Sequence, residues 1–144
     1  MPDAPRLDRQ VCFALYSASR AATAVYRPLL DDLGLTYPQY LVMLVLWENE
    51  PRGVRELGEE LGLDSGTLSP LLKRLEALGL VERRRSTEDE RRVAVHLTGA
   101  GSALSRKASG VPQYLAAAAG LSPAELDQLR ETLGKLAAAL HDSL

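Results

Sequence analysis

The stretch Gly53–Leu97 sets the tightest limits on the fold, because three local patterns follow one another there in a fixed order. Val54, Leu57, Leu61 and Leu63 line one face of a short helix that stops at Gly62. After a tight turn, a second helix starts near Asp64 or Ser65. Leu68, Leu71, Leu72, Leu75 and Leu78 form its inward stripe, and Gly79 ends it. Pro70 is tolerable only near a first turn, which supports that start. Leu80–Arg85 and Arg92–Leu97 then read as paired strands, with Val93, Val95 and Leu97 alternating with Ala94 and His96. Ser86–Arg91 between them is a polar, charged hairpin tip.

The second helix is two-faced in a particular way. Opposite its leucines stand Ser65, Gly66, Thr67, Ser69 and Pro70, followed by Lys73 and Arg74. Small and hydroxyl-bearing residues let a helix approach base edges, and the two cations reach phosphates or a guanine. Arg83, Arg84, Arg85, Arg91 and Arg92 bracket the hairpin tip, a clustering that suits backbone contact and minor-groove insertion. A plain amphipathic helix with a solvated hairpin shares the periodicity. The ordered run of helix, glycine turn, helix and Arg-flanked hairpin instead predicts a winged helix-turn-helix. Net charge is 17 − 19 = −2, so contact with double-stranded DNA has to come from one basic face and not from overall charge.

The flanking segments are helical. Residues 1–7 carry Pro2 and Pro5 and read as loose; Asp8 is placed to cap a helix running toward Leu30. Its stripe is Val11, Leu15, Ala18, Ala22 and Val25, and its many alanines and serines permit close helix–helix approach. Gly34 suits its end. Thr36 and Gln39 form a capping box ahead of a helix over Tyr37–Glu48 that is apolar on most sides and therefore buried. Pro51-Arg52-Gly53 reads as a loop. Thr98 caps a helix from Gly99 to about Ala119, and Ser122–Glu125 opens a last helix with Leu126, Leu129, Leu133, Leu136 and Leu140 on one stripe. The expectation is a mainly α chain with a small β-hairpin wing. Residues 36–98 form the winged region, between dimerisation segments 1–35 and 99–144 of one intertwined domain.

Several classes drop out. There is no apolar run of membrane-spanning length and no signal-peptide pattern, so a cytoplasmic protein without membrane contact is expected. His96 and His141 lie far apart with no cysteine nearby, so no metal set is visible. No Ser-His-Asp order, P-loop or Gly-rich cradle appears, and neither enzymatic activity nor a cofactor is expected. Glu88, Asp89 and Glu90 read as a solvated tip. The one cysteine, Cys12, cannot form an intrachain disulfide. Near a helix N-terminus its thiolate is favoured by free N–H groups, although a lone cysteine on a small-residue helix is also a common packing element.

Leu63-Asp64-Ser65-Gly66-Thr67-Leu68, Leu72-Lys73-Arg74-Leu75-Glu76, Gly79-Leu80-Val81, Asp89-Glu90-Arg91-Arg92 and Leu97-Thr98 together resemble the MarR family of dimeric winged-helix transcription regulators. The likeness runs over nearly the whole chain. It implies a homodimer interlocked by the first and last two helices, an Arg91 that probes the minor groove and an Asp89 that helps hold the wing. Cys12-Phe13, Leu15-Tyr16, Ser19-Arg20, Tyr26-Arg27-Pro28-Leu29-Leu30 and Thr36-Tyr37-Pro38-Gln39-Tyr40 further resemble the organic hydroperoxide sensors (OhrR) within that family. That resemblance implies Cys12 as the peroxide sensor, with Tyr16 and Tyr26 hydrogen-bonding its sulfur. Tyr26 is fourteen residues beyond Cys12, about 21 Å along a helix, so a partner subunit would have to supply it. With one cysteine, oxidised Cys12 reacts with a low-molecular-weight thiol, forms a sulfenamide or over-oxidises.

The expected function is a repressor that binds a pseudo-palindromic operator and releases it when an organic hydroperoxide oxidises Cys12. Two other readings remain. One is a MarR-type sensor of small aromatic ligands in which Cys12 merely packs. The other is a thiol peroxidase with Arg9 or Arg20 beside the thiol, which leaves the winged helix unexplained.

Overall fold

The computed structural model describes residues 4–89 and 91–144; Pro2 and Glu90, both read above, lie outside the described residues. A short 3-10 turn, Leu7–Arg9, precedes α1, Val11–Leu33. Helix α2 spans Tyr37–Glu48, strand β1 Arg52–Gly53, helix α3 Val54–Leu61 and helix α4 Ser65–Ala77. Strands β2 (Val81–Arg85) and β3 (Val93–Leu97) form the hairpin, and α5 (Gly99–Ala108) follows. Residues 1–109 form one compact unit. Residues 110–144 form a second, with helices α6 (Val111–Ala118) and α7 (Pro123–Asp142).

The centre of the first unit is α2. Tyr40, Val42, Met43 and Leu46 are buried there, and around them Leu57 of α3, Leu68, Leu72 and Leu75 of α4, and Val95 of β3 are shut off from solvent. Burying each such side chain contributes about 1.5–3 kcal/mol, which holds the short α3 and α4 in a helical state their length alone would not sustain. The capping box is formed as read: Thr36 Oγ1 accepts from the Gln39 amide and Gln39 Oε1 from the Thr36 amide. Leu44 departs from the expected burial, at 38% exposed, and so does Leu78, at 51%. Leu78 is the C-cap of α4, where the helix has already begun to turn away from its own stripe. Gly62 adopts φ +68°, the left-handed conformation that closes α3 and reverses the chain into α4.

Three boundaries differ from the sequence reading, and so does the place of one proline in a helix that starts where it was read. Asp8 does not cap α1: its carboxylate lies 3.1 Å from the Arg6 guanidinium, and Gln10 occupies the N-cap without a side-chain bond. Pro51–Gly53 is not all loop, because Arg52 and Gly53 pair antiparallel with Val95 and Ala94, making a three-stranded sheet ordered β1-β3-β2. The helix read from Gly99 to Ala119 is two helices. Gly110 is the N-cap of α6 and Pro112 sits in its first turn, where its missing N–H is unneeded; inside a continuous helix both would be costly. Pro70 is within α4 instead of its first turn, so the Gly66 carbonyl loses its intrahelical partner. The buried leucines on the other face and the cap at Asp64 hold the helix through it.

A close contact ties the wing to the core. Gly101 of α5 sits so near β2 that a Cβ there would stand 2.1 Å from the Leu80 carbonyl oxygen. The Trp47 indole N–H donates to the Gly101 carbonyl at 2.9 Å. Thr98 caps α5 by accepting from the Gly101 amide at 3.0 Å while its hydroxyl donates to the Gly79 carbonyl at 2.6 Å. The end of α4, the start of β2 and the start of α5 are thus fastened at one point.

Candidate nucleic-acid interface and thiol site

Helix α4 opens with Asp64, whose carboxylate accepts from the Thr67 amide at 2.8 Å. That bond, first among the causes, holds the Asp64 carboxyl below the usual carboxylate range. The cap frees the first turn to face outward: Ser65, Gly66 and Thr67 are exposed, Ser69 is half-buried, and Lys73 and Arg74 are exposed one to two turns on. The leucines that alternate with them are sunk in the core. The face read from the sequence is therefore a single, solvent-facing, hydrogen-bonding surface.

The hairpin carries the second part of the interface. In register, Val81 faces Leu97, Arg83 faces Val95 and Arg85 faces Val93. At the tip, the Arg91 amide donates to Asp89 Oδ1 at 3.0 Å, and Arg92 Nε lies 3.7 Å from Asp89 Oδ2. Asp89 is half-buried and organises the turn, leaving the Arg91 side chain exposed. Arg84 pairs with Glu82 at 3.0 Å on the outer face. Arg83 lies instead on the inner face and donates to Glu76 of α4. His96, which faces Glu82 in the register, is half-buried.

Cys12 is the second residue of α1 and is exposed, in a first turn whose N–H groups have no intrahelical partner. Val11 (67%), Phe13 (43%) and Tyr16 (60%) around it are exposed as well. Tyr16 is one turn further on the same side, with the Arg20 guanidinium 5.5 Å from its ring centroid. Phe13, Tyr16, Ser17, Arg20 and Ala21 line an open cavity of about 370 Å³. Tyr26 is elsewhere. It packs on Tyr37 and Tyr40 with centroids 5.1 and 6.1 Å away, and burial first, then those two phenols, pushes its hydroxyl up to about 12. Helix α1 is unbroken between Cys12 and Tyr26, so one chain does not bring them together. Sequence reasoning gave Tyr37 no site role, since its approach to Tyr26 depends on the turn between α1 and α2. Arg20 over Tyr16 was legible as an i,i+4 pair.

No helix among the described residues is long and apolar enough to cross a membrane, and no cluster of metal-binding side chains occurs among them.

The capped polar helix, the turn before it and the Arg-tipped hairpin after it define a winged helix-turn-helix regulator. Residues 24–107 match the family model "Transcriptional regulator SarA/Rot". Over 139 residues the chain is 48% identical to the organic hydroperoxide resistance transcriptional regulator of Bacillus subtilis (strain 168), covering 96% of this chain and 95% of that one. It also resembles AbfR of Staphylococcus epidermidis, with TM-score 0.78, 35% identity and 95% of each chain covered. Structures of reduced and of overoxidized AbfR bound to DNA match with TM-scores of 0.76 and 0.75, each at 36% identity; both cover 94% of this chain, and 94% and 95% of theirs. The chain belongs to the MarR family of winged-helix transcription regulators, in the one-cysteine organic hydroperoxide (OhrR) subgroup.

Proposed function

We propose that the chain is a homodimeric repressor that binds a pseudo-palindromic operator and lets go when an organic hydroperoxide oxidises Cys12. The observation that carries this is the pairing, in one chain of this family, of an exposed polar face on α4 with an exposed thiol in the first turn of α1. Ser65, Gly66, Thr67 and Ser69 address base edges in the major groove. Lys73 and Arg74 take phosphates or a guanine, and Arg91, held out by the turn at Asp89, enters the minor groove. Two copies place their α4 helices about 34 Å apart.

The dimer is supported by apolar surface left uncovered in each unit. In the first unit Val11, Phe13, Leu15 and Tyr16 are exposed, and in the second Leu129 (44%) and Leu140 (49%) of α7 are, a helix that buries none of its residues. With Tyr26 about 21 Å along α1 from its own Cys12, each sensor takes its second phenol from the partner subunit's Tyr26. In the neutral range that phenol is protonated and able to donate to a thiolate, and its upward shift extends this into alkaline pH.

In the chemical step the Cys12 thiolate attacks the distal oxygen of the hydroperoxide. An S–O bond forms, the O–O bond breaks, and the leaving alkoxide takes a proton from water to depart as the alcohol. Sulfur is oxidised by two electrons to the sulfenic acid and the peroxide is reduced. That sulfenic acid then condenses with a low-molecular-weight thiol to a mixed disulfide with release of water, closes on a backbone nitrogen to a sulfenamide with release of water, or is oxidised further by more hydroperoxide. The test is operator binding by Cys12→Ser. Expected is binding like the unsubstituted chain, with no release on adding cumene hydroperoxide. Release at the same hydroperoxide concentration as the unsubstituted chain would sink the sensor role and leave the repressor standing.

A further inference from the structure

Arg83 was expected to contact DNA, yet it is turned the other way. On β2 burial alternates: Val81 is 3% exposed, Glu82 and Arg84 are exposed, and Arg83 between them is half-buried. Arg83 therefore shares the inner face with Val81, opposite Val95 in the register. There its guanidinium donates to Glu76, and the two side chains retain 29% and 32% exposure. Glu76 sits in the last turn of α4, where the helix dipole disfavours a carboxylate and a cation beside it compensates. At the opposite edge of the sheet Arg52 of β1 meets Glu60 of α3 at 2.5 Å. Each helix of the helix-turn-helix is thus tied by an arginine to one edge strand of the three-stranded sheet.

We infer that Arg83 is a positioning residue: through Glu76 it sets the angle between the wing and α4, so that Arg91 and the Ser65–Thr67 turn meet neighbouring grooves together. Arg83 neutralises no phosphate. The arginines left exposed, Arg84, Arg85, Arg91 and Arg92, are the ones available for that. This inference rests on the proposal that α4 and the wing both engage DNA, and its test separates the two.

The variants are Glu76→Gln, Arg83→Gln and the double variant, each checked by thermal melting. Binding to a labelled duplex taken from upstream of the chain's own coding sequence is followed over a range of salt. A brace predicts that both single variants lose affinity, roughly three- to tenfold. The double variant is no worse than either single one, and the salt slope is unchanged. A phosphate contact predicts the reverse. Arg83→Gln then lowers the slope by about 1, and Glu76→Gln binds as tightly or more tightly because a carboxylate has been removed from beside the DNA. If Arg83→Gln fails to fold, Glu76→Gln alone still decides between these outcomes.

A DNA-free measurement stands beside it. In a Cys12→Ser background, spin labels are placed by Lys73→Cys and Ser86→Cys. The distance distribution between them is expected to broaden equally with Glu76→Gln and with Arg83→Gln. An unchanged distribution overturns the brace whatever the DNA result. If the unsubstituted chain does not prefer that duplex over a scrambled one, the DNA reading fails while the distance measurement still decides the brace.

Discussion

Single residues divide into those a helix face exposes to reading and those only tertiary packing explains. Ser65, Thr67, Lys73 and Arg74 could be read as one surface because 3.6-residue periodicity puts them opposite the leucines. Arg83 could not, since its partner Glu76 is brought to it by the path from α4 into β2. Tyr26 is a similar case. Its place on α1 was readable, but its burial against Tyr37 and Tyr40 was not. That burial has a consequence for pH. A phenol raised from 10.0 to about 12 stays neutral in the fold where an unfolded chain would already ionise it. Its contribution to stability is complete below the ordinary value, declines from there, and is gone above about 12. Urea midpoints should therefore fall across that alkaline window in the unsubstituted chain. Tyr26→Phe should fall less steeply there; equal slopes would mean that Tyr26 does not titrate as described. Asp64 runs oppositely: with its carboxyl lowered, its support of α4 is present above the ordinary carboxylate range and lost as pH falls below that range through the lowered value.

Among elements, the ends of helices were more legible than the strand outside the hairpin. Gly62, Gly79 and the two capping boxes mark boundaries through local chemistry, and the structure places them as read. Strand β1 carries no such mark. Arg52 and Gly53 become a strand only because β3 offers them its free edge. The break between α5 and α6 was written in Gly110 and Pro112, but the alanines that follow are strong helix formers and masked it. The fastening of wing to core is testable at Gly101. An added methyl would meet the Leu80 carbonyl oxygen, a backbone atom that cannot swing aside. Gly101→Ala should destabilise the chain by about 1–3 kcal/mol in urea unfolding and weaken operator binding with it. Unchanged stability would show that α5 can shift without cost. Leu72→Ala, at a site fully shut off from solvent, should cost about 2–5 kcal/mol without touching the DNA face.

For the whole molecule, the family resemblance was readable because its motifs run from Cys12 to Thr98. What one chain leaves open is the second copy. The uncovered Val11, Phe13, Leu129 and Leu140 should be buried in solution, so sedimentation should give twice the chain mass; Leu129→Glu with Leu140→Glu should shift it toward one. The crossed sensor site proposed above can be examined by mixing variants. A heterodimer of Tyr26→Phe with Cys12→Ser keeps one complete site if the phenol comes from the partner. A heterodimer of the unsubstituted chain with the double variant keeps none, although its total content of side chains is the same. The first should respond to hydroperoxide more readily than the second.

One thiol is proposed to govern one output, and both can be followed in a single titration. Operator-bound protein is treated with increasing cumene hydroperoxide while DNA release is read by fluorescence anisotropy and free Cys12 by thiol labelling and mass. The expected result is that release and thiol loss coincide and are complete when the one cysteine of each chain is consumed. Release with Cys12 still reduced, or full oxidation of Cys12 with the DNA still bound, would contradict it.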